Sequence, residues 1–471
     1  MTERSARVAV AAVFFLYVLG IRTYDVVDTF LMLGEQTRDW TIALGGISEL
    51  PLTGAPSTAG GRGFGPVYYW ILWLGRHLIG PFTDNLPHAG GITVALVQSI
   101  ADVWLLLVLW TRVGPSLALA MGLLIASAPF DIAISSVIWN PPVSAALIKM
   151  ATAMALSLGA TPPLWKIGAT AALAWLAVQA HTSAIFVTAP LLLALVLQRA
   201  SPQAPPQPRW AQQSTQPLWP QQPPPWRQTF RFVDLIKKTG LIAAVILLLQ
   251  IPYFIAIAKD PSAPAGPTAA LDTIANTQNF RIDRSFGVVV NSTGELLVRQ
   301  MNNWQFQVPT LVAALTVLVA WRHDLVLLAL SVGGIAGATI LFSTWTRGYD
   351  SYWFLTLTTG MVLIYGMAIA AAPSRKAVQW IGIALLAGVA LLQPMRISES
   401  TVFFKYPQYR PMRLASYALA SQAPAVRDIR MTYDVHPTMD KYFMYQILGG
   451  RIDPSAPQRA FFNSDGTIRL E

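Results

Sequence analysis

The sequence predicts an all-α protein that crosses a membrane many times. Of its 471 residues, 54% are apolar and only 12% are charged, and the mean hydropathy is +0.47, which is far from a soluble composition. Apolar segments of spanning length recur from residue 8 to residue 394. No stretch before the C-terminus is large enough for a separate soluble catalytic domain, which excludes a cytosolic nucleotide-binding enzyme with a single anchor.

Eleven spans of at least marginal length follow one another along the chain. The first is the apolar run from Val8 to Ile21, which we expect to be a retained helix because no small-x-small cleavage site precedes Arg22. The other ten are expected at about 91–111, 114–130, 142–160, 164–180, 183–198, 239–258, 309–321, 324–343, 353–372 and 377–394.

Basic residues at the ends of these spans predict their orientation. The formal net charge is +10, but its placement suggests topology rather than nucleic-acid binding. Alternating the spans from a cytoplasmic N-terminus places Arg112, Lys166, Arg322 and Arg375 inside, as the positive-inside rule requires. The Pro/Gln-rich stretch 199–238 would be a disordered cytoplasmic linker.

Three loops and the tail are left for the opposite face: about 22–90, 259–308, 344–352 and 395–471. Residues 68–82 are apolar, but counting them as a span would invert everything downstream, so we expect a helix on the outer surface. The tail mixes helix-like and strand-like runs, which predicts a small α/β domain after a membrane domain of residues 1–394. The Arg-rich and Ala-rich composition is typical of bacteria, which predicts an inner (plasma) membrane protein with a periplasmic C-terminus.

The first outer loop carries the most chemistry. Its apolar residues from Tyr24 to Leu44 recur at helical spacing, and Asp28, Glu35 and Asp39 stand at i, i+7 and i+11, on one stripe of a predicted surface helix. Carboxylates one turn apart repel each other unless a cation or Arg38 lies nearby. Such a pair is suited to a general base or to hard metal ligands. The alternative is the solvated face of an interfacial helix.

A glycine-rich segment follows. In Gly60-Gly61-Arg62-Gly63-Phe64-Gly65 the glycines permit close backbone approach to a ligand, and Arg62 offers a fork for phosphate. Tyr68 and Tyr69 suit a membrane interface. An interfacial turn with an aromatic belt explains the same residues.

Three more outer corners carry polar residues. Asn140 stands at the start of one predicted span, and His181 lies between two others, where it could bind a ligand or cap a helix. Arg347 and Tyr349 belong to a short aromatic loop.

The sequence contains no cysteine, which excludes disulfides, thiolate metal sites and cysteine nucleophiles.

Two ionisable residues, Asp102 and Lys149, fall inside predicted spans. A charge in hydrocarbon is expensive, so both are expected to face the bundle interior and to pair with each other. A structural pair is favoured over a proton relay, because a transporter usually places several such groups along a path.

The order of these motifs resembles the polyprenyl-phosphate-sugar glycosyltransferases of the GT-C type, especially the protein O-mannosyltransferases and aminoarabinose transferases. Glu35 falls at the first acid of the family's Asp-Glu pair, and Gly65-Pro66-Val67-Tyr68-Tyr69-Trp70 resembles its Pro-Pro-Leu-Tyr-Tyr-Trp-like segment. Trp139-Asn140-Pro141, Gln179-x-His181 and Arg347-x-Tyr349 are similar to later elements. The second acid of the pair is Gln36 here, so either Asp39 supplies that carboxylate or one acid suffices.

This resemblance implies a GT-C-like membrane fold and a sugar carried on polyprenyl phosphate, transferred at the periplasmic face to a lipid, glycan or protein acceptor. Glu35 would be the catalytic base with Asp39 in support, and the anomeric carbon would invert. An arginine such as Arg62 or Arg347 would stabilise the leaving phosphate, and a divalent cation is possible at Glu35 and Asp39. The implied substrate-binding residues are Arg38, Arg62, Tyr68, Tyr69, Asn140, His181, Arg347 and Tyr349.

Two other classes of function remain open from the sequence. A lipid or glycan transporter or flippase would also need many spans, but it predicts an internal repeat, which the sequence lacks. A membrane glycan polymerase or ligase would concentrate function in one large outer loop, for which 259–308 is long enough. The acidic first loop favours the transferase.

Overall fold

The computed structural model describes residues 3–56, 62–83, 86–159, 162–198, 232–260, 281–298, 303–345, 349–372, 376–394, 409–432 and 441–471. Most of the predicted linker 199–238, half of the loop 259–308 and Arg347 lie outside these ranges.

Helices dominate the described residues. In chain order they are α1 Glu3–Thr23, α2 Val26–Thr29, α3 Gly34–Leu44, α4 Val67–Leu78, α5 His88–Val113, α6 Pro115–Ala126, α7 Pro129–Ile134, α8 Asn140–Leu156, α9 Leu164–Ala180, α10 Ile185–Leu197, α11 Phe232–Lys259, α12 Ile282–Leu297, α13 Asn303–Ala320, α14 Leu325–Phe342, α15 Thr358–Ala370, α16 Lys376–Leu392, α17 Tyr409–Gln422 and α18 Lys441–Ile447. Short 3₁₀ turns occupy Ile47–Glu49, Gly80–Phe82, Thr182–Ala184 and Ser351–Leu357, and α14 contains a π-helical turn at Ala329–Gly333.

Helices occur at all the predicted spans. Five segments of the described chain are long and apolar enough to cross a membrane: Glu3–Thr29, His88–Val113, Phe232–Lys259, Leu325–Phe342 and Ser351–Ala370. Five shorter apolar helices are Pro115–Ala126, Leu164–Ala180, Thr182–Leu197, Gln305–Ala320 and Lys376–Leu392. The remaining predicted span is α8, which is buried along nearly its whole length. The number of eleven crossings stays a prediction.

The centre of the bundle is α8, packed between α5 and α9. Alanine is the commonest of its buried residues, and Ser144 and Thr152 are among the others. Small side chains let helix backbones approach closely, which is the usual basis of packing inside membranes. Ser144 donates a hydrogen bond to the carbonyl of Ala177 on α9 at 2.8 Å, so a polar contact also ties the two helices.

A cluster of four charged side chains lies inside the bundle. Arg22 contacts Asp102 at 2.6 Å and Asp131 at 2.5 Å, and Lys149 contacts the same two carboxylates at 3.0 and 3.1 Å. Gln98 bridges Lys149 and Asp131. The predicted pairing of Asp102 with Lys149 is confirmed, but the expectation that these were the only two internal charges is wrong. Arg22 and Asp131 stand near the ends of helices, and the packing of α1 and α7 brings both inside.

The first loop does not form one continuous helix, and this prediction is wrong. Asp25 adopts a left-handed conformation at φ 56°, and an extended stretch separates α2 from α3. Asp28 therefore does not share a helical stripe with Glu35 and Asp39. It pairs instead with Arg413 of α17 at 2.5 Å, across the contact with the C-terminal region.

The predicted surface helix is α4. It has 12 residues, about 18 Å at 1.5 Å per residue, which is too short for a hydrocarbon core of about 30 Å. One face is buried, and Trp70, Leu74 and Leu78 are exposed. A Cβ on Gly75 would lie 2.0 Å from Thr93, so only glycine permits this close approach to α5.

The C-terminal residues contain strands as well as helices, as expected. The strands are β1 Ala425–Val426, β2 Ile429–Met431, β3 Arg451–Ile452, β4 Ala460–Phe462 and β5 Ile468–Leu470. β1 pairs with β3 in parallel, and β4 lies between β2, in parallel, and β5, in antiparallel orientation. The first helix of this C-terminal region, α17, packs against the membrane region. There the hydroxyl of Tyr409 and the ring nitrogen of His88 are 2.5 Å apart in a hydrogen bond, and Phe30 packs on both rings.

Candidate functional site

A cavity of about 170 Å³ lies where four segments distant in sequence converge. The first loop contributes Glu35, Arg38 and residues of the glycine-rich turn. The other three segments are the start of α8, the corner that joins α9 to α10, and the stretch from the end of α14 to the turn before α15. Its lining residues are Glu35, Arg38, Ala55, Pro56, Gly63, Trp139, Asn140, Ala180, His181, Thr182, Ser183, Ile185, Phe186, Leu341, Phe342, Trp345, Tyr352 and Trp353. Segments with no sequence relation meet here around a few polar groups, which is the usual arrangement of a binding site.

The two carboxylates of α3 have different surroundings. Glu35 is exposed and faces the cavity. Asp39, one turn further, is buried with 1% exposure. It accepts hydrogen bonds from the hydroxyl of Tyr68 at 3.0 Å and from that of Tyr69 at 3.1 Å. The sequence placed both acids on the polar stripe of a surface helix, with a solvated face as the alternative; for Asp39 the solvated face is wrong, because α4 packs against α3 and covers it.

Arg38 lies between the two acids. Its Nε donates to Asp39 at 2.7 Å, and its side chain, 37% exposed, also lines the cavity. Charge-assisted hydrogen bonds of this kind are short and directional. Asp39 therefore orients a guanidinium toward the cavity, where it can meet an anionic ligand.

The two tyrosines remain protonated donors. Burial raises the pKa of Tyr68, and the negative charge of Asp39 raises it further. The pKa of Tyr69 is raised by the same two causes in the same order. Both hydroxyl groups thus hold the Asp39 carboxylate in place through α4 and are not themselves candidates for proton transfer at neutral pH.

Gln36 has a structural task that a carboxylate would not perform. Its oxygen accepts from the backbone N–H of Leu33 at 3.1 Å, which caps the start of α3, and its amide nitrogen donates to the carbonyl of Ile138 at 3.2 Å. An ionised acid has no hydrogen to donate to that carbonyl. Gln36 therefore fastens α3 to the loop before α8, and Asp39 is the second carboxylate of this helix.

Gly54, Gly63 and Gly65 of the first loop serve packing, while Gly60 and Gly61 lie outside the described residues. A Cβ on Gly54 would lie 3.0 Å from Gly63 and 3.2 Å from the carbonyl of Gln179, and one on Gly65 would lie 2.3 Å from the Gln179 side chain. The close approach predicted for a ligand is thus made to the end of α9. Arg62, next in the chain to the cavity residue Gly63, is exposed, and its charge acts on Tyr69.

The opposite side of the cavity holds the two polar corner residues. Asn140 donates to the carbonyl of Ala180 at 2.9 Å, which joins the start of α8 to the end of α9. His181 hydrogen bonds Ser183 at 2.7 Å. Burial lowers the pKa of His181 to about 4, so the ring is neutral at pH 7 and can exchange hydrogen bonds with a neutral ligand.

An aromatic wall completes the cavity, and no role was assigned to its members from the sequence. Tyr352 lies 4.5 Å from Trp139 and 5.9 Å from His181, ring centre to ring centre. Phe342, Trp345 and Trp353 pack on one another beside it. The only sequence signal was the aromatic content of residues 345–353, which a membrane-interface belt explains equally well.

Of the predicted site residues that the structure describes, Glu35, Arg38, Asn140 and His181 line this cavity, whereas Asp39, Arg62, Tyr68, Tyr69 and Tyr349 are not among its lining residues. Tyr349 lines a separate cavity on α12, and Arg347 lies outside the described residues. Asp28, weighed with the acids of α3, is bound to the C-terminal region instead.

The donor set at Asp39 does not fit a divalent cation. Both of its oxygens accept hydrogen bonds, and one of them also receives the guanidinium of Arg38, whose positive charge would repel a cation bound at the same carboxylate. Within the described ranges no three acidic or histidine side chains form a group that could hold a metal ion.

No protein-family model matches the chain, and no curated protein matches it in sequence. Solved structures do match in fold. The ArnT of Cupriavidus metallidurans bound to undecaprenyl phosphate aligns with a TM-score of 0.54 and 14% identity, over 96% of this chain and 86% of that one. Its apo state gives 0.55 and 13%, over 94% and 85%. The apo oligosaccharyltransferase of Archaeoglobus fulgidus gives 0.50 and 10%, over 97% of this chain and 65% of that one.

The alignments run over nearly the whole chain, and their low identity restricts them to the fold. The apolar helices of the described residues agree with them. The chain is therefore an integral membrane protein with the fold of the GT-C glycosyltransferases, as the order of its motifs along the chain predicts.

Proposed function

We propose that this protein is a membrane glycosyltransferase that moves a sugar from a polyprenyl-phosphate donor to an acceptor hydroxyl in the cavity beside α3. The observation that carries the proposal is the exposed carboxylate of Glu35, which faces the cavity next to a guanidinium held by a buried acid. A base and an anion-binding group side by side are what this transfer needs. The similarity of fold to an ArnT bound to undecaprenyl phosphate supports the identity of the donor.

In the proposed reaction, Glu35 takes the proton of the acceptor hydroxyl. The hydroxyl oxygen then forms a bond to the anomeric carbon while the bond from that carbon to the phosphate oxygen breaks. The electron pair leaves with the polyprenyl phosphate, whose negative charge Arg38 and Arg62 stabilise. A single displacement of this kind inverts the anomeric carbon.

The remaining residues bind and orient. Neutral His181 and the hydroxyl of Ser183 offer hydrogen bonds to sugar hydroxyl groups without adding charge. The rings of Trp345 and Trp353 provide an apolar surface for the sugar face or the first isoprene units of the donor. Asp39 acts through Arg38 and is a positioning residue.

The geometry of the bundle supports an outer-face site. Arg112, at the end of α5, hydrogen bonds the carbonyl of Leu156 at the end of α8 and pairs with Asp324 at 2.7 Å, beside the basic turn at Arg322. The cavity lies at the opposite end of α8, at Asn140. If the basic end is cytoplasmic, the cavity opens at the periplasmic face of a bacterial inner membrane.

Reporter fusions test this orientation. A periplasm-dependent phosphatase should be active when fused at the C-terminus and inactive when fused at Gln222. An inactive C-terminal fusion would contradict both the periplasmic C-terminus and the placement of the cavity at the periplasmic face.

Transfer itself is tested with purified protein in liposomes that carry radiolabelled undecaprenyl-phosphate sugars. We expect the label to leave the lipid and enter a component of an added cell-envelope extract. Movement of intact labelled lipid between leaflets, with no label transferred, would contradict the proposal and favour a transporter.

A further inference from the structure

A second cavity, of about 450 Å³, lies on the solvent-facing side of α12. The opposite side of α12 buries Val289, Val290 and Leu297 against the bundle. The cavity-facing side carries Arg284, Asn291 and Glu295, together with Gln307 of α13. Residues at i, i+7 and i+11 share one face of a helix, so this polar stripe runs along the cavity floor.

The polar groups of this cavity are available to a ligand. Asp283, Arg284 and Glu295 are exposed, and none of them forms an ion pair with another residue in the described ranges. Asn291 and Gln307 meet at 3.3 Å, which leaves further donor and acceptor positions on both amides. Tyr349, 43% exposed, adds an aromatic ring at the rim.

This set of groups matches carbohydrate. Amides and carboxylates exchange hydrogen bonds with vicinal hydroxyl groups, and an exposed aromatic ring covers the apolar face of a sugar ring. A lipid chain would need an apolar lining, which this stripe does not provide. The first cavity, by contrast, is walled by tryptophan and phenylalanine.

The two cavities are neighbours. The ring of Tyr349 lies 6.1 Å from that of Phe342, centre to centre, and Phe342 lines the first cavity. Ser351 borders the second cavity and Tyr352, the next residue, borders the first. An acceptor of several sugar units could place its terminal hydroxyl beside Glu35 and its preceding units along α12.

We infer that the second cavity is an acceptor subsite and that the acceptor is a glycan. This inference rests on the proposed transferase activity. It assigns Asn291, Glu295 and Tyr349 to acceptor binding and predicts that the donor does not contact them.

The test uses the purified full-length protein, radiolabelled undecaprenyl-phosphate sugars, and an envelope polysaccharide fraction freed of lipid by extraction and of protein by protease. We expect the label to enter this fraction. The variants Asn291→Ala and Glu295→Gln should raise the half-saturating polysaccharide concentration about tenfold, with undecaprenyl phosphate binding unchanged. Gln446→Ala, an exposed amide on α18 far from either cavity in sequence, is the matched control and should behave as wild type.

Other outcomes overturn the inference. Label that enters the extracted lipid or the protein in place of the polysaccharide would contradict a glycan acceptor, and so would α12 variants with an unchanged half-saturating concentration. Failure of the proposed function looks different: the wild-type protein would then not bind undecaprenyl phosphate, or would bind the donor without transferring its sugar to any fraction.

Discussion

Two groups of charged side chains in this protein contrast in how completely their charges are compensated. In the bundle, Arg22 and Lys149 face Asp102 and Asp131, so two cations meet two anions, each side chain no more than 5% exposed. At the cavity, the carboxylates of Glu35 and Asp39 share one guanidinium. Asp39 takes its close contact, and Glu35 remains exposed to the cavity.

The contrast separates a structural role from a chemical one. A buried group with all its charges matched has no carboxylate free to accept a proton, and its main effect is to fix how α1, α5, α7 and α8 pack. A group with one carboxylate left over, at the wall of a cavity, can take a proton from a ligand.

The largest effect is expected from removing a cation of the bundle cluster. Lys149→Met leaves two buried carboxylates with one arginine, and breaking a buried pair in this way costs about 3–5 kcal/mol. We expect a marked fall in the unfolding temperature of the detergent-purified protein. Lys376→Met, at the exposed start of α16, is the control. Adding Asp102→Asn to Lys149→Met should restore part of the loss, and equal unfolding temperatures for the two lysine variants would show that the cluster is not structural.

Glu35→Gln should act on transfer and not on stability. The amide keeps the shape of the side chain and loses its basicity, and a general base contributes about 10²–10⁴-fold to a rate. We expect turnover to fall by about that factor, with undecaprenyl phosphate binding and unfolding temperature unchanged. Glu3→Gln is the control, because it makes the same chemical change at an exposed residue outside the cavity and should leave turnover unchanged. Near wild-type turnover in Glu35→Gln would move the base elsewhere, first to Asp39.

Asp39→Asn should have a smaller effect that is spread over binding and rate. The carboxylate of Asp39 accepts hydrogen bonds from Arg38, Tyr68 and Tyr69, and an amide has only one oxygen for these three donors. A tyrosine hydroxyl can rotate and accept a hydrogen bond from the amide nitrogen, but a guanidinium has no acceptor atom. Loss of such a bond costs about 1–3 kcal/mol. We expect a lower affinity for the donor, measured by titration, together with a lower rate of transfer, measured in single-turnover experiments. Complete loss of turnover with normal donor binding would instead make Asp39 the base.

Tyr68→Phe tests the support of Asp39 at one hydrogen bond, since Tyr69 and Arg38 remain. A net loss of about 0.5–1.5 kcal/mol is expected. Tyr365→Phe removes a comparable bond to Thr310 away from the cavity. Both variants should unfold slightly earlier than wild type, and only Tyr68→Phe should lower the transfer rate. Equal rates in the two would show that Asp39 does not need this hydroxyl.

The smallest effect at neutral pH concerns His181. Its folded pKa of about 4 lies below the usual value of about 6.5. Between these values the unfolded chain binds a proton that the folded chain does not, so stability falls as the pH drops through this window. Above about pH 6.5 the residue contributes no pH dependence. We expect His181→Gln to unfold like wild type at pH 7 and to lose less stability toward pH 4. Parallel curves for both proteins would contradict a lowered pKa.

Much of the architecture could be predicted from local pattern. The apolar runs form helices at every predicted span. Residues 67–78 form a separate short helix, as expected for an apolar stretch on the outer surface. The order of the motifs along the chain was sufficient to predict the fold that the solved structures share. These features depend on composition and spacing along the chain.

The state of each charged residue was decided only by tertiary packing. Glu35 and Asp39 are one turn apart on the same helix, and nothing in their spacing indicates that Tyr68 and Tyr69 bury one of them and leave the other in the cavity. In the sequence, Arg22 and Asp131 are residues near helix ends. The packing of α1 and α7 buries them and pairs them with each other. Burial and charge compensation depend on partners that are distant in the sequence, so they arise only when the helices pack. The apolar length of a span depends on consecutive residues and can be predicted from the sequence alone.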